Sequence, residues 1–288
     1  MTTRRAAVLG SPIAHSRSPV LHRVAYAAMG LDWTYDAIDV TPAGLEDFLA
    51  SCQAPEWVGL SLTMPLKTDV IPLLDEVSDL SRIVGAVNTV VFDGDTRTGH
   101  NTDVAGMVHA LQECSQRMSA PHSAGVIGGG ATARSALAAL ADLSVGHVDV
   151  VVRSPERARD LVTVGRALDL DVTVHDWGSP ARAMASDVVI STVPAGVSDG
   201  LVGGIRAIPG VLLDVAYGDE QSLLVQAWRS RGGAAADGLD LLLWQAVDQI
   251  RIFTGRQPPI EQMRDVLQVQ ARPARGIGDV DSSRVGPG

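Results

Sequence analysis

Gly125-Val126-Ile127-Gly128-Gly129-Gly130-Ala131-Thr132-Ala133 runs from a short apolar segment through a glycine turn into an alanine-rich stretch. From Gly128 to Ala133 it fits G-x-G-x-x-A, in which small residues let the backbone turn tightly and approach a pyrophosphate held at a helix N-terminus. Glycine-rich turns are common, so the weight lies in the surroundings. Residues 125–127 read as a strand, 132–143 as a helix and 148–152 as a strand, and further strands are expected over 172–175, 188–191 and 211–215. Such a series has the rhythm of a nucleotide-binding unit.

The end of the 148–152 strand discriminates between dinucleotides. An acidic residue there would take the adenosine ribose hydroxyls of NAD, but this chain has Val152-Arg153-Ser154-Pro155-Glu156-Arg157. Arg153 and Arg157 can clasp a 2'-phosphate, with Ser154 as a further donor, so NADP is expected over NAD. Ser154-Pro155 is also a good helix cap and first-turn pair.

The N-terminal half alternates as well. Strands are expected over 6–9, 33–40 and 57–62, helices over 19–29 and 45–53, and a hairpin over 88–101 turning at Asp93-Gly94. This alternation implies a largely parallel sheet with helical crossovers. A helix over 104–116 leads into a polar, proline-containing linker at 117–123, and 238–253 has the apolar density of a buried helix that can pack back on the first half. Residues 272–288, rich in Gly, Ser, Pro and charge, read as a disordered tail.

Among 23 basic residues Lys67 is the one lysine; the rest are arginines. In a chain that uses arginine for almost every positive charge, a lone lysine is either the last surface lysine left or a position where the ability to release a proton counts, and its neighbours decide. Lys67 follows the strand Trp57-Val58-Gly59-Leu60-Ser61-Leu62 and Pro65, where a short helix would begin. In open α/β sheets that edge is where ligands bind.

Composition narrows the function classes. At 288 residues, with 46% hydrophobic and 19% charged residues, the chain can form two domains with a large core. A net charge of -10 argues against nucleic acid or an anionic membrane as the main partner. Cys52 and Cys114 lie far apart and outside any C-x-x-C pair, so neither a metal site nor a disulfide framework is indicated. Gly10, Pro12 and His15 break the apolar run after Arg4-Arg5 too early for an export signal, and no apolar stretch has transmembrane length. A soluble cytoplasmic protein is expected, with monomer and homodimer both open.

Several ordered motifs together resemble the shikimate dehydrogenases over roughly residues 6–270. They are Gly10-Ser11-Pro12-Ile13-Ala14-His15-Ser16-Arg17-Ser18-Pro19, Thr63-Met64-Pro65-Leu66-Lys67, Gly85-Ala86-Val87-Asn88-Thr89, Asn101-Thr102-Asp103, and Asp237-Gly238-Leu239 with Gln245. The resemblance implies an α/β protein of two domains. The first is an α/β substrate domain (1–103 plus 238–271) with a mainly parallel sheet, and the second a Rossmann-like NADP-binding domain (104–237). It implies interconversion of 3-dehydroshikimate and shikimate with NADP, a step of chorismate and aromatic amino acid biosynthesis.

By the same resemblance Ser16 and Ser18 donate to the substrate carboxylate with the Tyr217 hydroxyl, while Thr63, Asn88 and Gln245 address ring hydroxyls. Lys67 and Asp103 form the catalytic pair. Gly128, Gly129, Gly130, Ala131, Thr132, Arg153, Ser154, Arg157, Val215 and Gly238 form the cofactor set. Reducing a ketone puts negative charge on its oxygen, so a cationic donor there both stabilises the charge and supplies the proton. Asp103 would orient the ammonium and bind a hydroxyl; it could equally cap the helix that follows. The serines also suit a turn and helix cap before Pro19.

Some positions depart from the family pattern: Ser61 where asparagine is usual, Arg23 after His22, Asp240 in place of glycine, and Ser191-Thr192-Val193-Pro194 near the nicotinamide. They leave Lys67 and Asp103 in place and bear on substrate preference and cofactor affinity. A quinate or dual quinate/shikimate dehydrogenase is the nearest alternative. A non-catalytic NADP-binding sensor is another, with no need to keep Lys67, Asp103, Asn88 and the two serines together. A methylene-tetrahydrofolate dehydrogenase-like enzyme shares the architecture and a lysine, but the His15-Ser16-Arg17-Ser18-Pro19 loop suits a small carboxylate better than a pterin.

Overall fold

A computed structural model describes residues 3–115, 121–205, 210–218 and 220–271, and for Arg157, Gln270 and Ala271 the backbone alone. The first half of the chain runs β1 (Arg4–Gly10), α1 (Ser18–Ala28), β2 (Trp33–Asp39), α2 (Leu45–Ser51), β3 (Trp57–Leu62), α3 (Leu66–Asp69), β4 (Glu76–Val77), α4 (Asp79–Val84), β5 (Thr89–Asp93) and β6 (Thr96–His100). Its strands form one sheet in the order β2-β1-β3-β5-β6-β4. β1 pairs in parallel with β2 and β3, whereas β5 runs antiparallel to β3 and to its hairpin partner β6, and β6 pairs in parallel with β4.

β1 and β3 read as unbroken apolar runs because both faces of the sheet are covered, the expected consequence of helical crossovers. Ala6 and Val8 face a core shared with α1 and the C-terminal helices, while Ala7 and Leu9 face another shared with α2. Each large aliphatic side chain buried this way contributes roughly 1.5–3 kcal/mol.

After α5 (Asp103–Cys114) a second sheet is built from β7 (Ala124–Ile127), α6 (Ala131–Asp142), β8 (His147–Val152), α7 (Arg159–Ala167), β9 (Asp171–Asp176), α8 (Ala181–Met184), β10 (Val188–Ser191), β11 (Val211–Asp214), α9 (Leu223–Ser230) and β12 (Ala234–Ala236). All its pairings are parallel, in the order β12-β11-β10-β7-β8-β9. α10 (Gly238–Thr254) and α11 (Ile260–Ala271) then return to the first sheet. The protein is therefore an α/β structure of two sheets, the second of Rossmann type.

Two features fix how α10 lies on the first sheet. Asp237 and Asp240 close a reciprocal cap at its start: Asp237 Oδ1 accepts from Leu239 N at 3.0 Å and Asp240 Oδ2 from Asp237 N at 2.9 Å. The aspartate that departs from the family pattern thus secures the helix entry. Near its other end Phe253 packs against Gly59 of β3, where a Cβ would come within 2.1 Å of the ring. Only glycine gives α10 that approach.

The expected strands and the hairpin are present, with ends shifted by a residue or two. The sequence pattern does not foretell α4, α7, α8, α9, α11, β4 and β12: α8 is a single turn, β12 is three alanines and β4 only two residues, too little for a pattern to read. Of the expected linker, residues 121–123 are held by Asp187, whose Oδ2 accepts from His122 N, Ser123 N and Ser123 Oγ at 3.0–3.2 Å. Residues 117–120 of that linker, and the expected tail 272–288, lie outside the described residues. Among the described residues no helix is long and apolar enough to cross a membrane.

Candidate active site

A cavity of about 370 Å³ opens where the C-terminal edges of the two sheets face each other, within the size range of small-molecule sites. Short loops put its polar groups there. Ser16 and Ser18 follow β1, Thr63 and Lys67 follow β3, Asn88 precedes β5, and Asp103 begins α5. Val215 and Tyr217 follow β11, Thr132 comes from α6, and α10 supplies Gly238 and Gln245. All the substrate-side residues expected from the sequence are gathered around one space, together with three of the cofactor set.

At its centre Lys67 Nζ donates to Asp103 Oδ2 at 2.6 Å. The two side chains are 15% and 7% exposed, so water screens the pair weakly. The other carboxylate oxygen, Oδ1, accepts from Asn88 Nδ2 at 2.8 Å. Asn88 is itself fixed, its Oδ1 accepting from Thr102 N and Thr89 Oγ1, both at 2.8 Å. Losing one partner of so dry a pair would leave a charge uncompensated, at a cost of about 3–5 kcal/mol.

The alternative role of Asp103 as a helix cap is not what the structure shows. α5 begins at Asp103, and Asn101 Oδ1 takes the first-turn amides of Asp103 and Val104 at 3.0 and 3.3 Å. Asn101 Nδ2 meanwhile reaches Ala86 O and Ser135 Oγ, each at 3.0 Å, tying the hairpin region to α6. Capping by Asn101 leaves the Asp103 carboxylate for Lys67 and Asn88. Ser18 opens α1, and Ser16 Oγ accepts its N–H at 3.4 Å, so the Ser16 hydroxyl closes the turn onto the first amide of that helix while also lining the cavity.

Gln245 Nε2 donates to Leu242 O at 2.7 Å, which holds the amide against its own helix on the cavity wall. Tyr217 is 38% exposed, and partial burial raises its hydroxyl pKa above the ordinary value, so at neutral pH it is a neutral donor. Beside it Arg17 Nη2 donates to Gly218 O at 3.2 Å, joining the β1 loop to the β11 loop.

Gly128, Gly129, Gly130 and Ala131 lie outside the cavity, along the edge of the second sheet. Gly128 has φ +119°, and a Cβ there would sit 2.3 Å from Thr192 Oγ1. That threonine, one of the departures from the family pattern, donates to Ile127 O at 2.9 Å and so braces the glycine turn. The space over Gly130 is clear to 4 Å, and α6 begins there with no side-chain cap on its first-turn amides. The turn therefore fits a pyrophosphate. Arg153 is exposed at the end of β8 with Ser154 half-buried after it, and the Ser154 hydroxyl makes no cap bond to the 3-10 turn Pro155–Ala158. The Arg157 side chain lies outside the described residues.

Ser61 and Gln249 also line the cavity. The sequence marked Ser61 only as a departure and passed over Gln249. Its signal was available: a glutamine four residues after Gln245 lies on the same face of the helix.

Comparison with known proteins agrees with the geometry. Residues 8–90 match the family model described as shikimate dehydrogenase substrate binding domain, and residues 238–268 the one described as shikimate 5'-dehydrogenase C-terminal domain. The shikimate dehydrogenase (NADP(+)) of Citrifermentans bemidjiense is 35% identical over 274 residues, 92% of this chain and 94% of the relative. The crystal structure of Mycobacterium tuberculosis shikimate dehydrogenase superposes with a TM-score of 0.85 at 39% identity, covering 92% of this chain and 99% of that one. A quinate dehydrogenase from Corynebacterium glutamicum, solved in complex with NAD, has a TM-score of 0.84 at 29% identity, covering 93% and 99%.

Proposed function

The chain belongs to the shikimate dehydrogenase family, and from that premise we propose that it reversibly reduces 3-dehydroshikimate to shikimate with NADPH. The observation that carries this is the Lys67–Asp103 pair, at 2.6 Å, on a cavity lined by hydroxyls and amides. Shikimate is a small ring with one carboxylate and three hydroxyls, so its site needs donors and acceptors more than apolar walls.

NADPH, when bound, supplies the hydride. On the ketone side the Lys67 ammonium donates a proton to the oxygen as negative charge develops there, and recovers one from solvent. Asp103 fixes the ammonium and accepts from a neighbouring ring hydroxyl. Ser16, Ser18 and Tyr217 donate to the carboxylate, Thr63 and Gln245 meet the remaining hydroxyls, and Asn88, whose amide hydrogens go to Asp103 Oδ1 and Thr102 Oγ1, would meet one by exchanging its Thr102 bond for it. The glycine turn with Ala131 and Thr132 would hold the pyrophosphate, Arg153, Ser154 and Arg157 the 2'-phosphate, and Val215 and Gly238 the nicotinamide end. The division into 1–103 plus 238–271 and 104–237 goes with this proposal, since it assigns substrate to one part and cofactor to the other. A cytoplasmic location goes with it too.

Turnover of shikimate and quinate, each with NADP and NAD, tests the proposal. Shikimate with NADP should be the preferred combination; Arg153 at the end of β8, where NAD would want an acid, favours it. A preference for quinate or NAD would move the chain to the quinate branch of its relatives. NADP binding without any turnover would make it a sensor.

A further inference from the structure

Behind the Lys67–Asp103 pair runs a chain of buried hydrogen bonds in which every donor points toward Asp103. Tyr35 Oη donates to Ser61 Oγ at 2.6 Å, and Ser61 Oγ to Gln249 Oε1 at 2.8 Å. Gln249 Nε2 donates to Thr89 Oγ1 at 3.0 Å and to Asn88 O at 3.2 Å. Thr89 Oγ1 donates to Asn88 Oδ1, Asn88 Nδ2 to Asp103 Oδ1, both at 2.8 Å, and Lys67 closes on the other carboxylate oxygen.

Gln249 sets the direction. Its amide faces the Asn88 carbonyl, which can only accept, so the nitrogen must lie on that side and the oxygen on the side of Ser61 and His22. Because Thr89 Oγ1 receives the Gln249 N–H, its own proton is free to go to Asn88 Oδ1. That bond, with the one from Thr102 N, holds the Asn88 amide nitrogen toward Asp103. On the far side His22 Nε2 lies 3.3 Å from Gln249 Oε1, so it is the protonated ring nitrogen, and its Nδ1 is left to face the Tyr26 hydroxyl at 3.3 Å. Gln249 is 1% exposed and all four of its hydrogen-bonding positions are filled within the protein. It has none left for a ligand, although it lines the cavity.

We propose that Gln249, acting through Thr89, is a positioning residue for the reaction: together with the Thr102 amide it holds the Asn88 side chain toward Asp103 and thereby places Asp103 and Lys67. This rests on the assignment of Lys67 as proton donor. Ser61, where the family usually has asparagine, accepts from the Tyr35 hydroxyl and donates to Gln249 Oε1, one of the two bonds on that oxygen.

The test uses the full chain with shikimate and NADP, reading kcat and KM separately. Thr89→Val removes the relaying hydroxyl at nearly constant volume, and Thr89→Ser restores it; Gln249→Leu removes the hub. Thr89→Val and Gln249→Leu should each lower kcat by roughly ten- to a hundredfold, the scale of a small misplacement of catalytic groups. KM for NADP should stay unchanged, and Thr89→Ser should recover most of kcat. Tyr35→Phe, which cuts the chain upstream of Gln249, should lower kcat less than threefold. Thr89→Val with native kcat would overturn the inference, as would a loss that Thr89→Ser fails to restore. Should Gln249→Leu fail to fold, the Thr89 pair decides alone. Undiminished turnover in Lys67→Ala would instead overturn the proton-donor assignment itself. Loss in Lys67→Ala beside native Thr89→Val would sink the positioning role alone.

Discussion

Asp103 holds Lys67 by one carboxylate oxygen, at 2.6 Å, and Asn88 by the other, at 2.8 Å. An acid 36 residues away in sequence from the lysine thus does two things at once. It keeps the ammonium at the cavity wall, and it ties the pair to a fixed amide that cannot swing away.

Replacing Lys67 by arginine should keep the charge and lose the chemistry. A guanidinium does not give up its proton near neutral pH and cannot fit the compact ammonium's geometry against Asp103. We expect kcat to fall at least about a hundredfold, the lower end of general acid catalysis. Steady-state rates check this, and native turnover in Lys67→Arg would end the proton-transfer role.

Arg153→Ala should discriminate between cofactors. A lost charge-assisted contact is worth about 1.5–3 kcal/mol, so KM for NADP should rise roughly tenfold or more while kcat with saturating NADP holds. Rates with NAD should hardly change. An equal effect on both cofactors would show that Arg153 does not read the 2'-phosphate.

His22 should make the fold acid-sensitive. Burial pushes its pKa down to about 3 from an ordinary 6.5, with the Gln249 bond opposing weakly. Between those values the unfolded chain binds the extra proton and the folded one does not, so stability rises with pH across that window. The contribution is whole above pH 6.5 and is lost as pH falls toward 3, amounting to about 2 kcal/mol at pH 5. Urea unfolding at pH 7.5 and 5, compared with His22→Phe, reads it; an identical pH dependence in the variant would refute it.

Gly59→Ala should cost about 1–3 kcal/mol through overpacking, since the new methyl meets the Phe253 ring and Val90 O. In a Phe253→Leu background the cost should shrink. Additive costs in the double-mutant cycle would mean that the strain lies elsewhere.

Much of this was legible in the sequence for identifiable reasons. The central strands, such as β1, β7, β10 and β11, are buried on two faces and therefore appear as largely apolar runs. The Gly128–Gly130 turn announced the second sheet because its backbone tolerates only small residues, and Lys67 stood out against an arginine background. α7, α9 and α11 were harder to read: they are helices of 8 to 12 residues, two to three turns with few repeats in which to show a period. Gln249 stayed hidden because a polar residue on the buried face of a helix looks the same in sequence whether it is tolerated or required.

The chain by itself determined the alternation of elements, the glycine turn and the identities of the reactive side chains, all of which depend on local periodicity and residue chemistry. Only the tertiary structure decided that Asn101, rather than Asp103, caps α5, and that Gln249 on α10 is bonded to Asn88 and Thr89 some 160 residues earlier. Those choices turn on which donor meets which acceptor once water has been excluded. Hydrogen bonds between residues distant in sequence leave no periodic trace in it, and they acquire direction only when packing has brought the partners together.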